Sequence, residues 1–89
     1  MATKEQNLES LNNAMSTLNQ IATNPSTPRN IRKNIADLVE GLKSDKYSIS
    51  VRAVNTISLL DDVTQDPNLP SYVRTPLWQA VSTLESIRE

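Results

Sequence analysis

The sequence predicts an all-α fold: a four-helix up-and-down bundle made of two tandem helical hairpins related by an internal repeat of 42 residues. Three observations lead there. Apolar residues recur at spacings of three and four in four successive segments, the signature of amphipathic helices. A two-proline corner occurs twice, Asn24-Pro25-Ser26-Thr27-Pro28-Arg29-Asn30-Ile31-Arg32 returning as Asp66-Pro67-Asn68-Leu69-Pro70-Ser71-Tyr72-Val73-Arg74. Finally, the 89 residues make one small domain, 1–89, in which two hairpins cover their apolar stripes only by packing on each other. An open solenoid of helical hairpins has a similar period, but needs about three repeats or more for stability.

The helices are expected over about 4–23, 28–42, 46–65 and 70–88. Helix one opens with Thr3-Lys4-Glu5-Gln6, a capping box in which Thr3 and Gln6 satisfy free amides reciprocally. Leu8, Leu11, Met15, Leu18 and Ala22 mark its seam, widened by Ala14 and Ile21. It should end by Asn24, because the residue before a proline is driven out of the helical region. Thr27-Pro28 predicts the next start, with Thr27 as cap and Pro28 at the first helical position. Ile31, Ile35, Leu38 and Leu42, helped by Val39, form the face of helix two. Gly41 either closes that helix as a left-handed residue or permits a close helix crossing.

Lys43-Ser44-Asp45-Lys46 is the middle corner, with Ser44 or Asp45 capping helix three. The seam of helix three runs through Ile49, Ala53, Ile57, Leu60 and Thr64, flanked by Val54, Leu59 and Val63. Its apolar arc is the widest of the four, which predicts the most buried helix. In helix four, Val73, Leu77, Ala80 or Val81, Leu84 and Ile87 share a face. Pro76 removes a backbone donor there; the common face of Val73 and Leu77 favours a continuous helix with a bend over two separate pieces.

Composition restricts the chemistry. There is no His and no Cys, hence no imidazole base, thiolate nucleophile or typical structural zinc site. A single glycine cannot build a phosphate-cradling loop. No enzyme and no cofactor is expected. The lack of Cys suits the cytoplasm. The first apolar residues, Leu8 and Leu11, stand in polar surroundings, so neither a signal peptide nor a membrane span is expected. The net charge of −1 gives no strong basic field for nucleic acid.

Few residues remain as site candidates. Asp61, Asp62 and Asp66 gather at the end of helix three, where carboxylates oppose the helix dipole. They are weak metal candidates beside a solvated acidic corner. Arg29, Arg32 and Lys33 open helix two, with Lys43 and Lys46 at its far end, a modest basic strip for phosphates; pairing within the chain, with Asp37 one turn beyond Lys33, competes with that reading. Arg32, Arg52 and Arg74 each follow Ile or Val and are expected to brace the corners through loop carbonyls. Tyr72 and Trp78 are partner-binding candidates, although Trp78, beside Leu77, is expected to pack partly against the bundle.

Asp66-Pro67-Asn68-Leu69-Pro70, Arg74-Thr75, Trp78, Ser82, Leu84-Glu85 and Ile87-Arg88 closely resemble the C-terminal signature of an uncharacterised family of small archaeal proteins. Pro28-Arg29-Asn30-Ile31-Arg32 and Val51-Arg52-Ala53 are similar to its earlier motifs, and Pro76 departs from its pattern. The resemblance implies a compact four-helix bundle, archaeal and cytoplasmic, and carries no activity, substrate or cofactor. The function expected from the residues is that of a non-enzymatic helical module acting on a protein partner or as a homodimer. Weak RNA or DNA binding through the basic strip is the alternative, with a carboxylate-based metal enzyme the more remote one.

Overall fold

Thr3 starts the first helix as its sequence suggests. The Gln6 amide donates to Thr3 Oγ1 at 3.1 Å and the Thr3 amide donates to Gln6 Oε1 at 2.9 Å. From this box, α1 (Lys4–Thr23) is followed by α2 (Arg29–Lys43), α3 (Ile49–Thr64) and α4 (Ser71–Glu85). The computed structural model describes residues 3–67 and 69–88. Asn68 of the second corner lies outside them, as do Met1, Ala2 and Glu89. Among the described residues there is no strand. Successive helices pack side by side and α4 returns against α1, so the four make a bundle measuring 36 × 21 × 18 Å.

α1 stops at Asn24, whose extended backbone (φ −77°, ψ 119°) is what the following proline demands. Its buried face is Asn7, Leu11, Ala14, Leu18 and Ile21. The expected seam is rotated from this by a residue: Leu8 is exposed, and Met15 and Ala22 lie at the margin. α2 is capped by Pro28 and not by Thr27. The Pro28 carbonyl accepts the Arg32 amide at 2.9 Å, while the Thr27 amide turns back to the Asn24 carbonyl at 3.0 Å. Thr27 is therefore a buried corner residue, with no side-chain cap on the helix.

Neither expectation for Gly41 holds. It lies inside α2, has no positive φ, and a Cβ there would meet nothing within 4 Å. α3 begins at Ile49 rather than near Lys46, because Ser48 Oγ takes the Val51 amide at 3.4 Å. Ser44 Oγ instead accepts the Lys46 amide within the corner, at 3.3 Å. α4 runs unbroken through Pro76, with Val73 and Leu77 both buried. It ends three residues before the expected Arg88, its last turn closed by Ser86 N–H to Thr83 and Ile87 N–H to Leu84.

α1 is the most extensively packed helix: it lies between α2 and α4 and is also touched by α3. Leu18, Ile35, Leu42, Leu60, Leu77, Leu84 and Val73 are the fully buried large side chains of the core. α3 reverses the prediction that it would be the most buried helix. Only Ala53, Thr56 and Leu60 are buried in it. The inward arc is narrower than the apolar arc of the sequence: Ile49, Ile57 and Val63 pack only partly against the core. Val51, Val54 and Leu59 are left outside.

Candidate interaction surface

The outer face of the second hairpin carries most of the large apolar side chains that the fold leaves in solvent. Val54 is 64% exposed, Leu59 50% and Trp78 58%. Val51 and Tyr47 are exposed beside them. Trp78 thus stands out from α4, contrary to the expected packing against the bundle: Leu77 and Ala80 occupy the inward arc, and residue 78 falls on the far side of the helix. Apolar grooves flank α3 on both sides. Ala53, Val54 and Ile57 meet Leu84 and Ile87 in one, and Leu59 and Val63 meet Leu38 in the other. Sequence reasoning missed Val51, Val54 and Leu59 as surface residues; the signal available was the excess width of the apolar arc.

The other candidates are dispersed. Arg29 and Lys33 are exposed on the first turns of α2, and Lys43 closes its far end, about 20 Å away at 1.5 Å per residue. The basic residues therefore form two separate clusters and not one strip. The expected Lys33–Asp37 pairing is not made; among the described residues the ion pair is Lys43–Glu40 at 3.6 Å, between exposed side chains. Asp61 and Asp62 are exposed. Among the described residues no group of three or more carboxylates, His or Cys is arranged to hold a metal ion.

Two of the three arginines brace corners. Arg52 Nη1 donates to the Leu42 carbonyl at 2.9 Å, joining the end of α2 to α3. Arg74 Nη2 donates to the Asp66 carbonyl at 3.2 Å across the second proline corner. The Nε atoms of Arg32 and Arg52 are both buried without a hydrogen-bond partner, and the expected brace from Arg32 to a loop carbonyl is not seen among the described residues. The Tyr72 hydroxyl donates to the Ser26 carbonyl at 2.6 Å, so this candidate partner residue links the two proline corners to each other.

The model of an uncharacterised protein family, UPF0147, matches residues 1–87. The chain belongs to UPF0147. Similar UPF0147 proteins come from archaea: that of Metallosphaera sedula is 39% identical over 89 residues, covering all of both chains. That of Aeropyrum pernix is 45% identical over 76 residues, covering 85% of this chain and 84% of its own. Among solved structures, a UPF0147 protein from Thermoplasma acidophilum superposes with a TM-score of 0.87 at 28% identity, over 94% of this chain and 99% of that one. The protein MMP1188, described as of unknown function, gives 0.89 at 35% identity, over 99% and 100%. UPF0147 is a family of unknown function, and its fold here is all-helical, with no helix among the described residues long and apolar enough to cross a membrane.

Proposed function

We propose that this chain is a non-enzymatic, cytoplasmic helical module that works through protein contacts made by the outer face of α3 and α4. The observation that carries the proposal is a comparison internal to the chain. On this reading the two hairpins are copies of one unit offset by 42 residues. Matching backbone bonds support it: Thr27 N–H to Asn24 and Leu69 N–H to Asp66, Arg32 N–H to Pro28 and Arg74 N–H to Pro70. So does burial, since Leu11, Leu18, Ile31, Ile35 and Leu42 pair with buried Ala53, Leu60, Val73, Leu77 and Leu84.

Against that common framework the second hairpin is the more apolar at four outward positions, while exposed Leu8 against Ser50 is the reverse case. Glu9, Asn12, Thr17 and Ala36 of the first hairpin correspond to Val51, Val54, Leu59 and Trp78 of the second. Both hairpins satisfy the same fold, so the fold does not require the apolar set. Val54 borders the groove toward α4 and Leu59 the groove toward α2, so the exposed apolar residues span the outward arc of α3. Exposed large apolar residues mark interaction sites, and Trp is enriched among their anchors.

The test is a tagged pull-down from archaeal lysate, with and without nuclease, comparing the unaltered chain with V54E/W78S and with N12E on the first hairpin. Proteins retained by N12E and lost by V54E/W78S support the module. Equal recovery by all three sinks it, and recovery that collapses with nuclease moves the function to Arg29 and Lys33.

A further inference from the structure

The charges at the two ends of α3 narrow the choice of partner. The corner leading into the helix carries Lys43 and Lys46, offset by Asp45, while its last two turns carry Asp61 and Asp62 with no basic residue in the last turn. Those carboxylates sit at the negative end of the helix dipole, where cations are favoured and anions are not. Among the described residues neither they nor Lys46 forms an ion pair within the chain. Lys43 also pairs with Glu40 at 3.6 Å, so Lys46 is the cation left at this corner. A cation before the helix with carboxylates at its end complements itself only when antiparallel.

The exposed side chains between these ends are self-complementary in the same sense. Val51 and Val54 lie three residues apart on the arc opposite Ala53 and Leu60, and Asn55 and Ser58 continue that arc. Residues three and four apart share a helix face. Placing a second helix antiparallel, with a two-fold axis between residues 52 and 53, sets each Val51 against the other copy's Val54. The same operation carries Asp62 past the start of the other copy's α3, toward its Lys43–Lys46 corner.

We infer that the occupant of the α3 face is a second copy of this chain, packed α3 against α3 in antiparallel two-fold symmetry. The inference rests on the proposed interaction face and specifies what fills it. An isologous contact needs one surface that is its own complement; the apolar pair Val51 and Val54 on α3 and the charges of the helix end and the preceding corner supply it. Single-helix contact is small compared with a standard interface, so association is expected in the micromolar range.

Sedimentation equilibrium over a concentration series tests this, with circular dichroism confirming that each variant stays helical. The unaltered chain should show a monomer–dimer equilibrium that weakens as salt rises. V54E should raise the dissociation constant by at least about tenfold, and N12E should not change it. K43E/K46E and D61K/D62K should each dimerise poorly, yet form a heterodimer when mixed, because each then offers the charge the other needs. The chain has no cysteine, so V54C treated with a short bis-maleimide should give a covalent dimer where N12C does not. A dimer indifferent to V54E and to both charge reversals overturns the inference, as does an unaltered chain that stays monomeric at all concentrations. In the monomeric case, loss of captured proteins by V54E/W78S in the pull-down leaves the interaction face standing with a different partner. Equal capture removes both.

Discussion

Asn7 shows how one polar residue decides the register of a helix. It is 3% exposed, and its amide grips the backbone of Arg88 from both sides: Nδ2 donates to the Arg88 carbonyl at 2.7 Å and Oδ1 accepts the Arg88 amide at 3.1 Å. An Asn beside a Leu reads in sequence as the outer neighbour of a core residue. Here Leu8 is outside and Asn7 inside, because the segment after α4 needs a donor and an acceptor that a leucine lacks. That need arises 81 residues away, beyond the reach of periodicity. Asn7→Ala leaves both groups of Arg88 without their partner and should cost about 1–3 kcal/mol in urea unfolding. Gly41 gives the opposite sign. It lies inside α2 without a positive φ, and a methyl group there would point into open space. Gly41→Ala should therefore stabilise the chain by about 0.5–1 kcal/mol in the same measurement.

Among the elements, α1 and α2 were the most legible and α3 the least. The capping box, the stop at Asn24 and the face through Ile31, Ile35 and Leu42 are local signals, and they appear in the structure as expected. Thr27 and Ser44 were legible only as corner residues, since whether a hydroxyl caps the next helix or tightens the turn depends on backbone angles one residue away. In α3 the periodic seam holds, with Ala53 and Leu60 buried and Ile49 and Ile57 packed partly on the core, but Thr56 joins it and the flanking Val54 and Leu59 are left outside. This makes α3 depend heavily on Leu60, which is fully buried. Leu60→Ala should cost about 2–5 kcal/mol, read as a lowered urea midpoint. Val54→Glu on the opposite side of the helix should stay within about 0.5 kcal/mol of the unaltered chain under monomeric conditions. If the two substitutions cost the same, the orientation of α3 is wrong.

At the scale of the whole molecule, the bundle is held by contacts that skip over the middle of the chain. α1 packs most extensively against α4, with Asn7 on Arg88 at one end and Tyr72 on Ser26 at the other. The interaction face was not legible in the sequence as a face, because it joins residues of two helices whose outward arcs are fixed only once the core is closed. What the sequence did contain was an excess of apolar residues in its second half, Val51, Val54, Leu59 and Trp78 among them. The basic clusters illustrate the converse. Arg29 and Lys43 looked like one strip along the chain and are held apart by the length of α2.

The hydrogen bonds on Arg88 carry a consequence for watching this protein unfold. Backbone amides outside helices ordinarily exchange with solvent through local opening, at little free-energy cost. The Arg88 amide is closed by a side chain on the first helix, so its exchange requires α1 and the segment after α4 to separate. A deuterium label on this amide should therefore persist longer than labels on the exposed middle corner, and Asn7→Ala should abolish the difference. The label reports one contact, the docking of the segment after α4 on the first helix.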